Sequence, residues 1–193
     1  MNVVSFVTNF GDLAVLVPLA LTVLIWLLWV HNRREALWWC VAVVVCTGGT
    51  AAFKIFFYAC PPIQDLHSPS GHTAFSALVY GAIAGIIAIE RSGWRRVAMV
   101  GLAPLFIAAI AVSRVLIEAH TVLEVVVGLS LGLATLGCFL LSYRRQRLGY
   151  VNVRPMLIGA CIIAVLLNGK ALGAEDFLHL LSRYFDVARV CNA

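Results

Sequence analysis

Charge is what this chain has least of. Only 12% of its 193 residues are charged, where a soluble globular domain carries about 25%. Hydrophobic residues make up 62%, and the mean hydropathy is +0.97. That balance excludes an ordinary soluble enzyme and points to an integral membrane protein. No CxxC pair supports a zinc site, and no HExxH motif supports a zinc hydrolase. No low-complexity tract, Gly/Ser linker or shift of composition divides the chain, so residues 1–193 are expected to form one domain. No Lys or Arg precedes the first long apolar run. The basic leader of a signal peptide is therefore lacking, and the run Leu13–Val30 is expected to stay as a membrane helix, with residues 1–12 at the interface.

What is present is a succession of apolar runs of membrane length, roughly 20 residues each. After Leu13–Val30 they fall at about 36–58, 72–89, 97–112, 121–143 and 155–172. The expected fold is all-α: a polytopic bundle of about six transmembrane helices. Gly81 with Gly85, and Gly128 with Gly132, are small residues four apart that let helices approach closely, although Gly is common in membrane helices anyway. Pro104 predicts a kink or local unwinding within its span. A polar tail at 175–190, with Phe177, Leu181, Tyr184 and Ala188 at helical spacing, reads as a short amphipathic helix on the surface or as a cap over the bundle mouth.

Net charge is +5, and its placement matters more than its size. Arg33, Arg34, Arg91, Arg95, Arg96, Arg144, Arg145, Arg147 and Arg154 fall in one set of loops, nine of the 14 basic residues. Lys54, Arg114, Lys170, Arg183 and Arg189 fall in the other. Short basic clusters between apolar runs mark topology, with the richer side cytoplasmic, and not a nucleic-acid footprint. Both termini are then expected outside, with Trp26, Trp29, Trp38, Trp39 and Trp94 as an aromatic belt near the inner boundary. Cys40, Cys46, Cys138 and Cys161 read as small apolar residues. Cys60 and Cys191 fall on the outer side, where a disulfide is permitted.

The few polar residues inside this apolar pattern converge. Lys54 ends the second span, and Ser70, Gly71 and His72 begin the third. Ser113 and Arg114 end the fourth, and His120 and Glu124 begin the fifth. All lie on the outer face, and ionisable groups at such positions are functional by default. Singly, each has a structural explanation: a helix cap, a snorkelling lysine, a hydrogen-bonded histidine. Together they suit a phosphate. Lys54 and Arg114 supply fixed positive charge, the arginine as a planar fork. Gly71 permits close backbone approach at a helix N-terminus rich in N–H donors, and Ser70 offers a cap or a hydroxyl. Glu124 is one helical turn from His120. Of the two motif histidines, His72 and His120, only His120 has a carboxylate so placed on its own helix. A carboxylate there orients the imidazole as a nucleophile, leaving His72 to protonate the leaving oxygen.

These motifs resemble those of the type 2 phosphatidic acid phosphatase superfamily. The family pattern is Lys-x6-Arg-Pro, then Pro-Ser-Gly-His, then Ser-Arg-x5-His-x3-Asp. Here Lys54 precedes Pro61-Pro62, Pro69-Ser70-Gly71-His72 is intact, and Ser113-Arg114 is followed by His120 and Glu124. The likeness covers about residues 50–140, the expected catalytic core. Two positions depart from it: Pro61 stands where the pattern has arginine, and Glu124 where it has aspartate. The resemblance implies a lipid phosphate phosphatase of a bacterial-type inner membrane, acting at the outer face without metal or cofactor. His120 would be the nucleophile, Glu124 its partner and His72 the acid. Lys54, Ser70, Gly71, Ser113 and Arg114 would hold the phosphate. Its substrate would be a phosphomonoester or diphosphate lipid from the bilayer. The rivals are a lipid phosphotransferase using the same intermediate, a metal hydrolase built on His67, His72, His120 and Glu124, and a lipid-binding or transport protein weakened in catalysis by the missing arginine.

Overall fold

The computed structural model describes residues 3–30, 33–59, 68–145 and 151–170. Among them there are seven α-helices and no strand. A short helix α1 (Val3–Thr8) and a single 3-10 turn (Asn9–Gly11) lead into α2 (Leu13–Val30). Then follow α3 (Arg33–Ala59), α4 (Gly71–Glu90), α5 (Trp94–Leu116), α6 (Val122–Arg145) and α7 (Arg154–Leu167). The all-α bundle expected from the apolar runs is the fold observed.

Five helices, α2 to α6, are long and apolar enough to cross a membrane. The sixth expected span is shorter than its apolar run suggested. α7 has 14 residues, about 21 Å at 1.5 Å per residue, against a hydrocarbon core of roughly 30 Å. It stops at Leu167 because Asn168 and Gly169 turn the chain, Gly169 with φ +88°, a conformation that glycine adopts without steric cost. α5 runs helical through Pro104 without interruption, and α2 likewise through Pro18. The proposed tail helix, the Cys60–Cys191 pair, Pro61 and His67 lie outside the described residues.

α4 is the axis of the bundle. It packs on α2, α3, α5 and α6 and is buried along most of its length. Glycine sets its distance from α6. A Cβ on Gly128 would stand 2.5 Å from the Ser70 carbonyl oxygen, and one on Gly132 would run into the Ala74 carbonyl. Gly81 and Gly85 of α4 in turn receive the side chains of Leu136 and Leu140. Both glycine pairs thus lie in one helix–helix seam, where small residues let backbones meet.

The far end of α4 is fastened as well. Tyr143 Oη donates to buried Glu90 Oε1 at 3.0 Å, and Val151 N to Glu90 Oε2 at 3.3 Å. The five tryptophans expected as an aromatic belt differ in exposure. Trp29, Trp38 and Trp94 are exposed, but Trp26 and Trp39 are buried. Their indole N–H groups donate to Asn152 O at 3.0 Å and Ala20 O at 2.9 Å. A buried indole needs such a partner, and each bond ties α2 to a neighbouring segment. Cys46 is buried as expected, whereas Cys138 and Cys161 are exposed on the bundle surface.

Candidate active site

The polar islands meet at one end of the bundle, and backbone geometry explains how. Beyond Leu116 the chain reverses in a tight turn. The Arg114 carbonyl accepts from Ala119 N at 3.1 Å and His120 N at 3.3 Å, closing the last carbonyls of α5. Glu118 takes the left-handed conformation this reversal needs, with φ 55°. The residue bearing one phosphate-binding candidate therefore also fixes the backbone of the presumptive nucleophile.

α6 then opens with a reciprocal cap. Glu124 N donates to Thr121 Oγ1 at 3.3 Å, and Thr121 N donates to Glu124 Oε2 at 3.2 Å. This is a capping box, in which two orphan donors are satisfied by the pair. The same Oε2 lies 2.8 Å from His120 Nδ1. The other oxygen, Oε1, accepts from Ser68 N at 2.8 Å, and the Glu124 carbonyl accepts from Ser70 N at 3.1 Å. One residue thus caps α6, orients His120 and moors the turn that begins α4.

Ser70 caps α4. Its Oγ accepts from Thr73 N at 3.4 Å and from Thr73 Oγ1 at 3.0 Å. As an acceptor in both contacts it keeps its own proton to offer, next to the first N–H groups of α4, which have no acceptor within their helix. Lys54 and Arg114 are buried, and Arg114 Nη1 reaches Thr8 Oγ1 at 3.5 Å. The Ser113 hydroxyl donates back to Ile110 O at 2.7 Å.

His120 is held below the ordinary histidine range. Burial is the largest cause, and the positive charges of Arg114 and Lys54 push the same way, against the hydrogen bond and charge of Glu124. Its side chain is only 6% exposed. Both cations are therefore close enough to act on this imidazole, which favours the neutral ring. With Nδ1 turned to Glu124, Nε2 is left for chemistry.

His72 also has a carboxylate neighbour, though not on its own helix. Asp12 Oδ2 lies 3.8 Å from His72 Nε2. It comes from another helix start, and no local spacing rule pairs residues so far apart in sequence. Among the described residues, no group of three or more His, Cys, Asp or Glu is arranged to hold a metal.

A helical bundle of membrane-crossing length, with histidines, cations and a helix N-terminus gathered at one end, describes a multi-pass membrane protein of the phosphatase type. Residues 54–148, just under half of the chain, match the family model described as PAP2 superfamily, consistent with a membrane protein of that family. Every site residue expected from the sequence lies inside it, whereas Thr8 and Asp12 lie before it. No curated protein and no solved structure matches the chain.

Proposed function

We propose that this PAP2 protein hydrolyses a lipid phosphate at the outer face of a bacterial inner membrane, through a phosphohistidine on His120. The observation that carries the reading is the 2.8 Å contact between His120 Nδ1 and Glu124 Oε2, on an imidazole that burial and two cations keep neutral. Lys54, Arg114, Ser70 and the Gly71 backbone hold the phosphate, and Ser113 joins them once its hydroxyl turns from Ile110. Nε2 of His120 attacks phosphorus, so a P–N bond forms as the P–O bond to the lipid breaks. His72 gives its proton to the leaving oxygen, releasing the lipid alcohol. Water then attacks the phosphohistidine, the P–N bond breaks, the water proton returns to His72, and inorganic phosphate leaves. Throughout, the proton stays on Nδ1, hydrogen-bonded to Glu124, whose negative charge stabilises the ring.

A lipid substrate is supported by a cavity of about 340 Å³ between α4, α5 and α6, a size typical of ligand sites. Its walls are apolar and include Gly81, Ala84, Pro104, Ile107 and Leu133. Ile107 is about 9 Å of helix from Ser113, within reach of an acyl chain whose head group sits at the site.

The test is phosphate release by the purified protein from a panel of lipid mono- and diphosphates, with acid-labile phosphate mapped by mass spectrometry. Label on His120, lost in His120→Ala together with turnover, is expected. Label on His72, or full activity in His120→Ala, overturns the assignment. Transfer of the label to a second lipid instead of water would make the protein a phosphotransferase.

A further inference from the structure

The segment before α2 is not accounted for by the superfamily match, yet it lies against the site. Thr8 Oγ1 receives Arg114 Nη1 at 3.5 Å. Phe10 O accepts from Tyr80 Oη at 2.8 Å. A Cβ on Gly11 would stand 2.9 Å from Ile110 Cγ2, 3.3 Å from Ser76 Oγ and 3.4 Å from His72 Cβ. The tightest of these contacts is with Ile110 of α5, so glycine here lets the chain lie against the α4–α5 seam. The segment ends at Asp12, which caps α2 through Oδ1, accepting from Ala14 N at 2.8 Å. The cap fixes the carboxylate, and its second oxygen, Oδ2, faces His72 Nε2 at 3.8 Å, with the two side chains 16% and 19% exposed.

We infer that Asp12 is the positioning residue of the general acid. It holds His72 by Nε2–H and supplies the counter-charge to its imidazolium, so that Nδ1–H is presented to the leaving oxygen. This rests on the reading of His72 as the acid. The arrangement mirrors that at His120, with the ring nitrogens exchanged: Glu124 takes Nδ1 of the nucleophile, and Asp12 takes Nε2 of the acid. At 3.8 Å the pair is within ion-pair range but longer than a hydrogen bond. Catalytic contacts are often long in ligand-free sites and tighten in the complex. A helix N-terminus opposes an added positive charge, and His72 sits in the first turn of α4. A carboxylate brought from outside that helix offsets the opposition without occupying the phosphate cradle.

The decisive readout is dependence on the leaving group. Asp12→Asn and Asp12→Ser both keep a residue able to cap α2 but remove the charge. For each, kcat on an alkyl phosphate, whose leaving oxygen needs a proton, is divided by kcat on nitrophenyl phosphate, whose leaving group does not. General acid catalysis is worth about 10²- to 10⁴-fold, and mispositioning the acid should lower this ratio by about 10- to 100-fold. Asp12→Glu should restore part of it, and Asp12→Asn should lower it no further in a His72→Ala background. Gly11→Ala keeps the Asp12 carboxylate but lifts the segment that carries it from Ile110, and should lower the ratio in the same direction. Equal losses on both substrates in the Asp12 variants, or no loss, would overturn the inference while leaving His72 as the acid. A His72→Ala enzyme whose ratio is that of the unaltered protein would remove the parent reading instead.

Discussion

Glu124 of α6 is joined to Ser68 in the stretch before α4: the carboxylate oxygen that does not touch His120 accepts the Ser68 backbone N–H at 2.8 Å. The side chain that orients the candidate nucleophile therefore also anchors the turn that leads into α4. Glu124→Gln keeps the size but loses the charge, and should lower kcat by about 10²- to 10⁴-fold, as loss of a triad carboxylate does. Glu124→Asp keeps the charge but is one methylene shorter, and cannot span His120, Thr121 and Ser68 together. It should show a smaller loss in kcat and a lower melting temperature. Steady-state kinetics with thermal unfolding in detergent checks both.

The pH profile follows from the direction in which His120 is shifted. The nucleophile must be neutral, and its folded value lies below the ordinary 6.5. The neutral fraction therefore persists as pH falls through 6.5 and is lost only at more acidic pH. The acid limb of kcat/KM should have its inflection below 6.5. An inflection at or above that value would contradict the neutral, cation-flanked imidazole.

In the proposed mechanism, Lys54 and Arg114 provide the positive charge that a metal ion would otherwise bring to the phosphate. Turnover should survive EDTA, and vanadate should inhibit by imitating the pentacoordinate phosphorus. Activity lost to EDTA and restored by zinc would point to the metal hydrolase instead.

Gly128 should be intolerant of a side chain. Its Cβ would meet backbone, the Ser70 carbonyl, which cannot swing aside as a flexible side chain can. Gly128→Ala should cost about 1–3 kcal/mol, as overpacking does, and should reduce activity beyond what the loss of folded protein explains. Gly137→Ala, on the same helix with nothing within 4 Å of its Cβ, serves as the control. It should be neutral or stabilising, since alanine is the better helix former.

Membrane orientation is checked by cysteine labelling in intact cells, in a background freed of native cysteines. With the basic loops inside, Ser5→Cys should react with an impermeant reagent and Ser92→Cys should not. The reverse pattern would invert the topology and put the site at the cytoplasmic face.

Helix positions were legible from the sequence because apolar length is a one-dimensional signal. The ends of α2, α4 and α6 fall within a few residues of their runs. The convergence of Lys54, Ser70, Arg114 and His120 was legible too, since alternating helices return their ends to the same face. The capping box was written in Thr121-x-x-Glu124, and it accounts for a longer carboxylate where the family pattern has aspartate. Composition does not distinguish an indole facing lipid from one that is buried with its N–H on a backbone carbonyl, as at Trp26 and Trp39. Asp12 was beyond any local rule. Its partner is on a different helix, and the Gly11 contact that brings them together exists only once α4 and α5 are packed.

α4 and α6 are bolted together at both extremities, by Ser70 N on Glu124 O at the site and by Tyr143 on Glu90 at the far end. A pair of rods fixed at two points cannot splay. Any breathing of the bundle that lets a lipid tail slide in from the bilayer falls to α5, the wall of the apolar cavity whose ladder lacks one rung where Pro104 has no N–H to give. Under the proposed function, the paired helices hold His120 and the turn before α4 in register, and α5 is the cavity wall with the weaker backbone ladder.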